Sequence, residues 1–74
     1  MKRTYIVILK YILEALNDGK EHSYGDLERR VNTNWKTIRN NIEILELFGA
    51  VIVKDTKVKI NSLGMRILSD IKNR

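Results

Sequence analysis

The stretch NWKTIRNNIEILELFGAVIVK, residues 34–54, decides the fold. Asn34 is suited to cap a helix, because its side-chain oxygen can accept from a free backbone N–H two or three residues on. Behind it Ile38, Ile42 and Leu45 recur at helical spacing and supply one buried stripe. Gly49 then stops the helix. Ala50 to Lys54 is rich in β-branched residues, and Lys57-Val58-Lys59-Ile60 alternates charged with apolar. The spacing predicts two strands joined at Asp55-Thr56 as a small hairpin.

Upstream, Ser23 followed by Asp26 resembles a capping box, and Tyr24, Leu27 and Val31 recur at three and four, so a short helix is expected from Tyr24 to about Arg30. Asn32 and Thr33 form the turn into the next helix. From about Thr4 to Leu16, residues Tyr5, Ile6, Leu9, Ile12, Leu13 and Leu16 fall within roughly 120° of one another at about 100° per residue, as a core-facing helix requires. Val7 and Tyr11 lie on the opposite face. Asn17-Asp18-Gly19 ends this helix, with Gly19 suited to a left-handed cap. Downstream, Ser62 is expected to cap a last helix with an apolar stripe of Leu63, Ile67, Leu68 and Ile71, while Lys72 and Arg74 suit the negative end of its dipole. The order is helix, helix, turn, helix, hairpin, helix, and a segment around Glu21 and His22 can add a third strand. This is an α+β pattern.

The chain has 74 residues, which leaves room for one domain over residues 1–74 with one core. Cysteine is absent, so disulfides, thiol chemistry, Cys/His zinc sites and Cys/His nucleophile systems are excluded, and with His22 as the only histidine no Ser/His/Asp nucleophile system is expected. No enzyme activity, cofactor or metal is expected, and no small-molecule pocket is evident. The longest apolar runs, such as Tyr5 to Leu9, fall far short of the roughly 20 residues of a membrane span. With no signal-peptide layout at the N-terminus, a soluble cytoplasmic protein without membrane contact is expected.

The net charge is +5, which suggests an anionic partner. Its distribution says more than its total. Between Arg29 and Ile42 stand four basic residues (Arg29, Arg30, Lys36, Arg39) and no acid, and Lys54, Lys57 and Lys59 cluster around a single Asp55. Glu14, Asp18, Glu21, Asp26 and Glu28 lie mostly in the first third.

Asn34-Trp35-Lys36-Thr37-Ile38-Arg39, followed by Ile42, Leu45, Gly49 and Val51, resembles the recognition-helix signature of winged-helix transcription regulators, particularly small archaeal and archaeal-virus ones. Ile60-Asn61-Ser62-Leu63-Gly64 resembles the strand-to-helix passage that follows the wing in such proteins, with one residue fewer between Ser62 and the glycine. The resemblance covers nearly the whole chain. It implies a winged helix-turn-helix: a three-helix core, a two- or three-stranded antiparallel wing at about 51–60, a C-terminal helix, and a recognition helix at about 35–48. The function it implies is sequence-specific binding of double-stranded DNA to regulate transcription. A non-specific architectural DNA binder and a protein-interaction module are the alternatives, since winged helices serve both ends.

With Ile38 at the centre of the buried face, Lys36, Asn40 and Glu43 point the opposite way and Thr37 and Arg39 flank them. Lys36, Arg39 and Asn40 are therefore the candidates for base contacts in the major groove, and Thr37 and Asn34 for phosphate. Lys54, Lys57 and Lys59 on the hairpin, with Arg29 and Arg30 at the end of the second helix, are candidates for phosphate, though one of these arginines can instead pair with Glu28 or Asp26. Glu43 and Glu46 should face away from DNA. Trp35, at the edge of the stripe, is expected to close the core beside the second helix, a thymine or sugar contact being the alternative. His22 is expected to be a partly exposed loop residue. Surplus apolar surface at Val7, Ile8, Tyr11 and Met65 suggests a homodimer, which would read an inverted repeat. Leu47, also outward, can support the wing or a partner.

Overall fold

A computed structural model describes residues 3–73, with side chains from Val7 onward. The core positions expected of Tyr5 and Ile6, and the dipole role of Arg74, lie outside the described residues. Four helices and three strands follow in the order α1 (Arg3–Ala15), β1 (His22–Ser23), α2 (Tyr24–Val31), α3 (Trp35–Leu47), β2 (Val51–Lys54), β3 (Lys57–Ile60) and α4 (Ser62–Lys72). The strands form one antiparallel sheet in the order β1-β3-β2. The fold is α+β, in a layout compatible with a winged helix.

The starts of α2 and α3 and the end of α3 have local reasons. Ser23 caps α2 by accepting from the Asp26 N–H, and Asn34 caps α3 by accepting from the Thr37 N–H at 2.8 Å. At the far end of α3, Gly49 takes φ +80°, its N–H bonds the Glu46 carbonyl at 2.9 Å, and the Ala50 N–H bonds that of Leu45 at 2.8 Å. These two bonds satisfy carbonyls that the helix itself leaves unpaired, in the Schellman arrangement. The chain is thereby turned directly into β2.

Ser62 does not cap α4. Asn61 does, since its extended backbone sets its carboxamide to accept from the Gly64 N–H at 2.8 Å while its amide donates to the Gly49 carbonyl. One side chain thus caps α4 and ties it to the exit of α3. Ser62 is left as the first helical residue.

The core gathers one face of every element. Ile12, Leu13 and Leu16 from α1, Leu27 and Val31 from α2, Ile38, Ile42 and Leu45 from α3, Val51, Val58 and Ile60 from the sheet and Leu68 from α4 are all buried. Truncating a wholly buried member such as Leu27 to alanine costs about 2–5 kcal/mol, a large share of what so short a chain commands. Asn41 is the one polar side chain buried within this stripe of α3, where its amide donates to the Thr37 carbonyl at 2.8 Å. Its position three residues after Ile38 makes that burial readable from the spacing. Among the described residues, no helix is long and apolar enough to cross a membrane.

Candidate nucleic-acid interface

With Ile38, Asn41, Ile42 and Leu45 buried, the opposite face of α3 is left to water. Lys36, Arg39 and Asn40 are exposed there, Thr37 is half-buried, and Asn34 is exposed with its oxygen engaged in the cap. Arg39 does not extend freely. Its guanidinium lies over the Trp35 ring, 5.1 Å from the centroid, and its Nε is 3.7 Å from a Glu43 carboxylate oxygen. Trp35 does not close the core. It is 48% exposed, and its indole lines a groove together with Tyr24 and Val53.

The hairpin presents its cations on one side. In the ladder Lys54 stands opposite Lys57 and Ile52 opposite Lys59, so these four exposed residues share the outer face, while Val51, Val58 and Ile60 are buried on the inner one. The two residues between the strands, Asp55 and Thr56, have φ of +51° and +64°. Left-handed backbone at both positions is the geometry of a two-residue hairpin turn whose twist matches the strands.

At the end of α2, Arg29 is 77% exposed and 3.9 Å from Asp26, whereas Arg30 donates from Nε to Asp26 at 2.8 Å. Arg29 is thus the freer of the two. Asp26 is also bonded to His22, and there the sequence-based expectation is corrected. His22 is no exposed loop residue: it is 5% exposed in β1, paired with Val58 of β3, and both ring nitrogens are bonded. Nδ1 meets Asp26 at 2.6 Å and Nε2 meets Asp18 at 2.9 Å. This cluster joins the turn after α1, the short strand and α2, and it occupies two of the chain's acids within the fold.

The remaining apolar surface is divided. Val7, Tyr11 and Met65 are exposed, while Ile8 packs against the core and so belongs in part to the chain's own interior. Leu47 is 84% and Phe48 64% exposed at the end of α3; the outward direction of Leu47 follows from the stripe, and Phe48 had no such signal. No family model matches the chain, and no curated protein matches it.

Proposed function

We propose that the chain is a winged-helix protein that binds double-stranded DNA and regulates transcription by occupying specific sites, with α3 as recognition helix and the β2–β3 hairpin as wing. The observation that carries this is the placement, on two separate elements, of cations that form no ion pair among the described residues. Lys36, with Asn40 beside it, stands on the outer face of α3, and Lys54, Lys57 and Lys59 stand on the outer face of the hairpin. Lys54 and Lys57 face each other across the ladder, an unfavourable pairing that a bound anion relieves. Asp18 and Asp26 are meanwhile engaged by His22 and Arg30, which leaves the outward cations less opposed.

Lys36 and Asn40 have the side chains to read guanine and adenine edges. Lys54, Lys57, Lys59 and Arg29 supply phosphate contacts without base preference. The cap at Asn61 adds support from the resemblance, since Asn61-Ser62-Leu63-Gly64 restores the cap-x-x-Gly spacing that Ser62 lacked. A second copy of the chain is proposed as partner, through the outward residues of α1.

Anisotropy of a labelled mixed-sequence duplex at about 50 and about 200 mM salt tests the reading. Binding that weakens steeply with salt is expected, and neutralising a single hairpin lysine that contacts phosphate should lower the magnitude of the log-affinity slope by roughly 0.9. Selection from a random pool then separates a sequence reader from an architectural binder. No binding at the lower salt would favour a protein-interaction module, the reading to which exposed Leu47 and Phe48 lend weight.

A further inference from the structure

Between the start of α2, the first turns of α3 and the inner side of the hairpin lies an open groove of about 510 Å³. Trp35, Tyr24 and Val53 line it with apolar surface, and Arg39 and Thr56 line it with polar groups. None of the phosphate contacts assigned above uses it, because Lys54, Lys57 and Lys59 lie on the other face of the hairpin and Arg29 does not line it. An indole is seldom left half in water where it could pack, and this one also carries a guanidinium stacked on its ring.

We propose that this groove seats one sugar-phosphate strand of the duplex, with Trp35 packed against a deoxyribose and Arg39 donating to the adjoining phosphate. The inference rests on the DNA-binding reading and adds to it the strand that the protein straddles. In B-form DNA the wall between the wide and the narrow groove is a single backbone strand. A helix lying in the major groove and a hairpin beside it stand on either side of such a wall, and the space between α3 and the hairpin is this groove. The sugar brings C–H surface that suits an indole face. Stacking holds the guanidinium plane while leaving N–H donors at its edge, where a phosphate can be met in bidentate fashion. Glu43, 3.7 Å from Arg39 Nε, and Glu46 lie further along α3, so the strand is expected to cross at the helix's N-terminal end.

Trp35 is the chain's only tryptophan, so its emission reports on the groove alone. The full chain is titrated with a labelled mixed-sequence duplex at low salt, following duplex anisotropy and Trp35 emission together. The expected result is that emission changes in step with anisotropy and that quenching of Trp35 by acrylamide falls severalfold in the complex. Trp35→Ala and Arg39→Lys should each weaken binding about two- to fivefold on every sequence alike, and Trp35→Phe should retain most of the affinity. Arg39→Lys keeps the charge at an exposed site, so it remains informative if Trp35→Ala does not fold. Rising anisotropy with unchanged emission and quenching, or wild-type affinity in both variants, would overturn the groove assignment and leave DNA binding standing. Flat anisotropy would overturn both. Quenching by thymidine 5′-monophosphate but not by the duplex would make the groove a small-molecule site and end the proposal.

Discussion

The charge of His22 follows from its partners. A carboxylate accepts and does not donate, so both ring nitrogens of His22 can donate to Asp26 and Asp18 only while the ring is an imidazolium. Burial is the largest single influence and pulls the His22 pKa down, but the hydrogen bonds and charges of Asp26 and Asp18 together outweigh it and leave the pKa raised. The Asp18 carboxyl is lowered, first by His22 and then by the Lys20 N–H; that of Asp26 is lowered by His22 and then by Arg30. Because the histidine is raised above its unfolded value of about 6.5, its contribution is full below that pH and is lost as pH climbs through the folded value. The carboxylates contribute above about pH 3.9 and lose that contribution as pH falls through their lowered values. Thermal melting across pH should therefore show a decline on the alkaline side that His22→Gln removes, and an undiminished decline in that variant would exclude His22 as its source. Lys36 and Asn40 belong to the same scale. Replacing either by alanine should cost about 1–3 kcal/mol at a selected sequence and far less on scrambled DNA. Equal losses on both duplexes in competition binding would withdraw base reading from α3.

At the scale of elements, the passage from α3 to α4 shows what local pattern conveys and what it does not. Gly64 is buried against the far side of that passage, and a Cβ there would collide with the Ala50 carbonyl oxygen and stand 2.6 Å from Ile60 Cγ1. Gly64→Ala should therefore destabilise the chain by about 1–3 kcal/mol, read from urea unfolding, and a near-neutral result would mean that α4 can withdraw from Ala50 at little cost. The caps at Ser23 and Asn34 and the breaks at Gly19 and Gly49 were legible because their hydrogen bonds are made within a few residues. Asn61 and Ser62 are both competent caps, and the choice between them rests on a bond to Gly49, twelve residues away, that no periodicity encodes. The burial of His22 is hidden from local pattern for a similar reason: Asp18 and Asp26 flank it at four residues on each side, but across a turn and a strand rather than on one helix. Trp35 sits at the edge of the α3 stripe, where burial depends on how closely α2 and the hairpin approach. The outward placement of the candidate cations of α3 and the hairpin, by contrast, is legible in the spacing, since alternation and a buried stripe fix which residues must face out.

For the molecule as a whole, the outward side of α1 is where a second copy is expected. Val7 and Tyr11 are 39% and 47% exposed one turn apart, and Met65 on α4 is 41% exposed. Sedimentation should show a dimer that Tyr11→Glu converts to a monomer, and a monomeric wild type at micromolar concentration would end the idea. A two-fold pair would read half-sites about 10 base pairs apart or a multiple of that. The facing lysines of the hairpin carry a different consequence, for folding and the proposed binding draw on the same two charges. Lys54→Glu would turn a repelling cross-strand pair into an attracting one, worth about 0.2–1 kcal/mol to the free chain, while taking a cation from the proposed DNA face. Its melting temperature should rise as its affinity falls, and a fall in both would show that the pair is not strained in the unbound protein. Added salt acts on the two quantities in opposite senses as well: the ions that screen Lys54 from Lys57 and steady the unbound hairpin also loosen its hold on a polyanion.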